Sequence, residues 1–304
     1  MYLEHFNFKD APFSLTPNTK YYCHLPSHQE ALNTILLCLR TKEGFIKIIG
    51  EVGSGKTLLC RKLLNLLETE AFVTAYIPHP DLTPSGLRKA LAKELGIDIP
   101  QHIDQHGLIA LITEKLLQLS GENKHVVLII DEAQTIPRDT LEAVRLLTNI
   151  ETESTKLLQI VLFGQPELDE RLKKPNLRQL HQRISFSYHL QPITRQDLNA
   201  YLCHRLSVAG YTYGVLFSKK ACDALFTASR GIPRLINILC HKSLMVAYGE
   251  GKQSVEFSAM KNAVLDTQTA HTLFSNKWPY VVIMLAASGI FVFMLLRAFG
   301  KITW

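Results

Sequence analysis

Two rhythms of apolar residues alternate along this chain. Mostly apolar runs at Phe45–Ile49 and Leu157–Phe163 predict buried strands, Phe72–Ile77 a further strand closed by Pro78, and Val126–Ile130 a strand of five continuous branched aliphatics. Such runs mean that both strand faces are buried, as in a parallel sheet covered by helices on each side. Ile184–Leu190 instead alternates apolar residues with Ser185, Ser187 and His189, which predicts a fifth strand nearer an edge. Between the runs, apolar residues recur three and four apart. One such stretch, roughly His28 to Thr41, places Ala31, Leu32, Ile35, Leu36 and Leu39 on one helix face. Leu58–Leu67, Ser85–Leu95 and His106–Leu119 are further predicted helices, with Gly96 and Gly121 at expected C-caps. The alternation predicts a doubly wound α/β unit of about five parallel strands.

From Thr194 the helical rhythm takes over. Thr194 is a candidate N-cap, and helices are predicted at Ser218–Ser229, Pro233–Tyr248 and, more weakly, Phe257–Gln268. The chain therefore divides into an α/β unit with a turn-rich aromatic lead-in (1–192), an all-helical unit (193–270) and a linker (271–278). The next stretch differs in kind: Pro279–Leu296 is 18 residues without a charge. As a helix it would extend about 27 Å, close to bilayer thickness. Trp278 and Tyr280 supply an interfacial aromatic edge, and Lys277 and Arg297 the charged flanks. One transmembrane helix is expected over 279–297, with a short tail at 298–304.

The chemistry sits at the ends of the strands. Gly50-Glu51-Val52-Gly53-Ser54-Gly55-Lys56-Thr57 follows the first strand and opens the next helix, in the spacing of a phosphate-binding P-loop. Glycines let the backbone turn its N–H groups into a concavity, and the helix start adds unpaired donors. Lys56 would reach the β- and γ-phosphates of ATP, and the Thr57 hydroxyl would bind Mg²⁺. The third strand ends in Asp131-Glu132, on the same sheet edge as that loop. Asp131 is the expected second Mg²⁺ ligand, and Glu132 the group that orients the attacking water.

Composition narrows the classes without choosing among them. The chain has 304 residues, 47% hydrophobic and 20% charged, with a formal net charge of +6 and no long basic cluster. That permits contact with lipid or nucleic acid but argues for neither. The six cysteines form no C-x-x-C pair, and the twelve histidines no metal-spaced cluster. Reduced, mostly buried thiols are expected, and the histidines are assigned no role. Met1–Asp10 does not resemble a signal peptide. Arg297 and Lys301 beyond the apolar stretch mildly favour a cytoplasmic tail. The need for cytoplasmic ATP and the shortness of that tail favour the opposite topology.

Together these motifs resemble an AAA+ ATPase, over about residues 1–270. Asn7-Phe8, Ala11 to Pro17, the P-loop and Gly164-Gln165-Pro166-Glu167-Leu168 resemble more narrowly the ExeA family of general-secretion-pathway ATPases, and its branch associated with MSHA pilus biogenesis. The resemblance implies a P-loop core, a helical lid and shared active sites in a homo-oligomer. It places Gln165 at the sensor-1 position, Arg183 at that of an arginine finger (Arg178 being a weaker candidate), and Arg234 of Gly231-Ile232-Pro233-Arg234 at sensor 2. Members carry a peptidoglycan-binding region beyond the membrane span; this sequence stops at Trp304, so that activity is not expected. The expectation is an inner-membrane ATPase, catalytic domain cytoplasmic, that serves a type IV pilus or type II secretion apparatus through a membrane partner. The alternatives are a DNA-binding AAA+ ATPase of the replication or transposition type, and a nucleotide-gated scaffold with little turnover. Nucleic acid is not an expected partner.

Overall fold

A computed structural model describes residues 2–270 apart from positions 69, 70 and 154. After a one-turn helix α1 (Tyr2–His5) and an extended lead-in come α2 (Pro26–Arg40), β1 (Phe45–Ile49), α3 (Lys56–Leu67), β2 (Phe72–Ile77), α4 (Pro84–Glu94) and α5 (Gln105–Gly121). Then follow β3 (His125–Ile130), α6 (Arg138–Leu147), β4 (Leu158–Gly164), α7 (Pro166–Leu172), α8 (Arg178–Arg183) and β5 (Phe186–His189). Four helices complete the described chain: α9 (Asp197–Val208), α10 (Lys219–Ser229), α11 (Pro233–Gly249) and α12 (Phe257–Leu265).

The five strands form one parallel sheet in the order β2-β3-β4-β1-β5. β1, β4 and most of β3 are buried on both faces, as continuous apolar runs require. Leu128, Ile130, Ile160 and Leu162 face α4, α5, α6 and α7 on one side of the sheet. Ile46, Ile48, Val127, Ile129, Val161 and Phe163 face α2 and α3 on the other. β5, with its alternating sequence, lies at the edge and is largely exposed.

Several local expectations shift. α6 was not anticipated, because Pro137 and a mixed polar face hide its apolar stripe of Leu141, Val144 and Leu147. α5 runs through Gly121, and the left-handed residue that ends it is Asn123, at φ 57°. Regular helix in α9 begins at Asp197, whose N–H is accepted by the Thr194 hydroxyl at 3.2 Å. The lead-in, grouped by sequence order with the sheet, sends Phe6, Phe8, Phe13 and Tyr21 into the cluster formed by α9, α10, α11 and α12. The predicted membrane stretch at 279–297 lies outside the described residues. Among the described residues no helix is long and apolar enough to cross a membrane.

One charge interrupts the sheet core. Lys47 in β1 is 5% exposed and pairs with Asp169 of α7, whose other oxygen lies 3.1 Å from His189 Nε2 at the end of β5. A buried pair tolerates replacement of both partners better than removal of one, since a lone charge keeps its desolvation cost. Asp169→Ala is therefore predicted to destabilise the fold by about 3 kcal/mol, and Lys47→Met with Asp169→Leu to recover most of it. Chemical denaturation of the three proteins checks this; equal losses in the single and double variants would refute it.

Candidate functional site

The parallel sheet delivers the carboxyl ends of β1, β3 and β4 to one edge, and the turns that leave them line a cleft of about 200 Å³. Its floor is the Gly50–Thr57 loop between β1 and α3. Gly53 and Gly55 take φ of +80° and +97°, which only glycine adopts cheaply. Almost every carbonyl of the loop is occupied. Lys56 Nζ donates to Gly50 O (2.7 Å) and Glu51 O (3.0 Å), and the Arg234 N–H donates to Gly53 O (3.1 Å). His28 Nε2 donates to Ser54 O (2.8 Å), and the Leu59 N–H to Gly55 O (2.9 Å). The N–H groups of Gly53 and Gly55 have no acceptor among the described residues, and the first N–H groups of α3 lack helical acceptors by position. Occupied carbonyls and open N–H groups make a concavity for an anion.

Above the loop stands the end of β3. Asp131 is buried, and its Oδ1 accepts the Glu132 N–H at 2.9 Å; the Thr57 hydroxyl also donates to this carboxylate. Burial pushes the Asp131 carboxyl up from its ordinary value, against those hydrogen bonds. Burial likewise pulls the Lys56 amine down, opposed by Glu132 and Asp131. Both groups are thus short of counter-charge. Among the described residues no three His, Cys, Asp or Glu side chains gather to hold a metal. A desolvated carboxylate beside a hydroxyl nevertheless fits Mg²⁺, which takes one or two protein oxygens and completes its shell with water and substrate phosphate.

Glu132 sits at φ 51°, ψ 37°, a left-handed conformation rare for a residue with a Cβ. Its carboxylate is held by two amides: Gln134 Nε2 at 2.5 Å and Gln165 Nε2 at 3.1 Å. Gln165, leading from β4 into α7, also passes its backbone N–H to Gln134 Oε1 at 3.0 Å. Arg171 of α7 donates to the carbonyls of Gln134 and Ile136, which fixes this turn to α7. The strained residue is over-determined, as backbone strain at a functional site must be.

The helical unit closes the cleft. α11 begins against the loop: a Cβ on Gly53 would lie 2.5 Å from the Arg234 Cβ. Arg234 is exposed on the cleft wall. Farther out, Tyr201 of α9 donates to Asn237 Oδ1 (2.9 Å), and Arg205 Nη1 donates to the Tyr201 hydroxyl (3.1 Å). Arg205 is 5% exposed; it also holds Pro12 O and Ser14 O of the lead-in, and its guanidinium lies 4.9 Å from the Tyr21 ring centre. Lead-in and helical unit thus form one wall.

The fold gathers Gly53, Gly55, Lys56, Thr57, Glu132, Gln165 and Arg234 at this cleft, with Asp131 beneath it. Arg183 does not join them: at the end of α8 it donates to the Thr148 hydroxyl at 2.9 Å, and Arg178 is exposed on the same helix. His28, Gln134, Arg171, Tyr201, Arg205 and Asn237 went unnoticed in sequence. Only Gln134 carried a signal, an amide two residues after the Asp-Glu pair.

Residues 39–172 match the family model described as an AAA domain. That stretch is similar to an AAA domain. Over 255 residues, 84% of its length, the chain is 42% identical to General secretion pathway protein A of Aeromonas hydrophila, and it spans 46% of that protein. Solved structures similar in fold include Cdc6p from Pyrobaculum aerophilum, with a TM-score of 0.64 at 19% identity, covering 84% of this chain and 70% of that one. The Aeropyrum pernix ORC2 protein gives a TM-score of 0.62 at 18% identity, covering 87% and 73%. At such identities the likeness concerns the fold alone, a parallel sheet with its helical companion.

His28 gives the protein a pH signature. Burial lowers its pKa from the ordinary 6.5, with the bond to Ser54 opposing. The folded state favours the neutral ring, so its contribution to stability is complete above the unfolded value and lost as pH falls through the folded one. Stability of the ligand-free protein is predicted to drop below about pH 6.5. In His28→Gln that part of the slope should vanish; urea unfolding at stepped pH checks it, and identical slopes would refute it.

Proposed function

We propose that this chain is a membrane-anchored ATPase that binds Mg·ATP in the cleft and hydrolyses it in a homo-oligomer. The observation that carries the reading is the caged Glu132 carboxylate beside a loop whose carbonyls are occupied and whose N–H groups are open. Gly50, Glu51, Val52, Gly53, Ser54, Gly55, Lys56 and Thr57 form the phosphate loop, Lys56 being the cation for the terminal phosphates. Thr57 and Asp131 are the residues to hold Mg²⁺, which when bound neutralises phosphate charge.

Glu132 is the group to orient and polarise the attacking water, with Gln165 at the sensor-1 position and Gln134 fixing the carboxylate between them. Arg234 is the lid residue that senses the nucleotide. Arg183, outside its own cleft, is the proposed finger for a neighbouring copy, stabilising charge on the transferred phosphoryl group. Its Thr148 hydrogen bond would then be a resting contact.

The likeness to General secretion pathway protein A of Aeromonas hydrophila supports a role in secretion. The finer assignment is ours: anchoring in the bacterial inner membrane through 279–297, catalytic domain cytoplasmic, in biogenesis or positioning of an MSHA-type pilus or type II secretion apparatus. The partners would be membrane lipid and an inner-membrane assembly protein. The replication-type likenesses concern fold alone and lend the DNA-binding alternative no separate support.

ATPase turnover of the full chain, followed against its concentration, tests the enzyme reading. Turnover per subunit should rise with concentration and fall about 10³-fold in Arg183→Ala if the finger acts between copies. Flat turnover unaffected by the change would remove the finger. Glu132→Gln should retain ATP yet lose about 10²-fold or more in rate; parental turnover in that variant would remove Glu132 as the water-orienting group.

A further inference from the structure

We propose that His28, on the first turn of α2, is a positioning residue for the phosphate loop: it sets the direction of the Gly55 N–H by holding the Ser54 carbonyl. The inference rests on the proposed nucleotide cleft and adds a residue to it from outside the loop, strand and helix that define it.

The Ser54–Gly55 peptide is the vulnerable unit of the loop. It lies next to two glycines with positive φ, so little in the local chain prevents it from rotating. Because a trans peptide is planar, its C=O and N–H point in opposite directions. If it turned over, the Ser54 carbonyl would face the anion cradle and the Gly55 N–H would leave it. A donor must therefore hold that carbonyl on the far side.

His28 is that donor. Its Nε2 lies 2.8 Å from Ser54 O, and the side chain is only 6% exposed. A Cβ added to Gly55 would come 2.9 Å from the same nitrogen, so the ring lies against the loop backbone and leaves room only for glycine. The other ring nitrogen, Nδ1, is buried without a partner. The proton therefore belongs on Nε2, where it is used.

The ring is itself held. Ser27, the preceding residue, accepts the Gln191 N–H at 2.8 Å and lies 3.3 Å from the Tyr188 hydroxyl. Tyr188 donates to Glu30 at 2.7 Å. The first turn of α2 is thereby pinned to the end of β5 and to the segment entering the helical unit. The loop takes its orientation from a rigid element.

The test compares full-length parent, His28→Leu and His28→Gln by calorimetric titration with ADP and by steady-state turnover of Mg·ATP. Leucine cannot donate, whereas the glutamine amide reaches the place of Nε2. Losing the donor and freeing the peptide should weaken ADP binding and raise KM by about tenfold, with kcat within about twofold. His28→Gln should return both to within about threefold of the parent. Should His28→Leu not fold, His28→Asn replaces it, its amide being one methylene too short.

A lower melting temperature with unchanged ADP affinity would mean packing alone and overturn the inference. So would equal losses in the leucine and glutamine variants. A parent that takes up no ADP would overturn the proposed function as well, which separates the two failures.

Discussion

A backbone anion cradle is possible only if the other end of each peptide is satisfied elsewhere. Each N–H turned toward a phosphate belongs to a planar unit whose carbonyl points away. In this protein most of the loop's carbonyls are captured, from several directions, and the peptide that joins Ser54 to Gly55 pairs a captured carbonyl with an open N–H. Lys56 takes those of Gly50 and Glu51 from within the loop, the start of α11 takes that of Gly53, and α2 takes that of Ser54. The cradle is thus a product of tertiary structure as much as of the motif. The helical unit is tied into it even without ligand, because one of those donors is the Arg234 backbone.

The electrostatics of the cleft follow from the same geometry. Burial raises the Asp131 carboxyl and lowers the Lys56 amine, so the two principal charges are each desolvated and imperfectly paired. Such a site is costly when empty and gains from a ligand that brings a cation to one group and an anion to the other. Glu132 is handled differently. Its left-handed backbone and its two amide partners hold the carboxylate in place without a ligand. Preorganisation of this kind is what a water-orienting group needs.

The lead-in has no motif of its own, yet it decides how the cleft is walled. Arg205 is buried among Phe13, Tyr21 and Tyr201, and satisfies its donors on the carbonyls of Pro12 and Ser14. A guanidinium can be buried when its donors are met and aromatic faces surround it. The consequence is structural: the wall from the lead-in is fixed to the helical unit.

What the sequence determined by itself is the part governed by local period and local spacing. β1 and β2 fall at their predicted bounds, because their apolar stretches stop where Gly50 and Pro78 end them, although β1 is wholly buried and β2, at the sheet edge, only partly. The glycine-rich turn from β1 into α3 and the Asp131-Glu132 strand end were legible as local features, because their residue types are tied to backbone conformation and charge. The tertiary structure alone decided the rest. Nothing near His28 announces that it will reach Ser54, 26 residues away, and Arg205 meets the lead-in across more than 190 residues. Lys47 reads as a blemish in an apolar strand until α7 brings Asp169 to it. A hydrogen bond or ion pair needs proximity, and proximity between distant segments is set by how the layers pack rather than by any spacing along the chain.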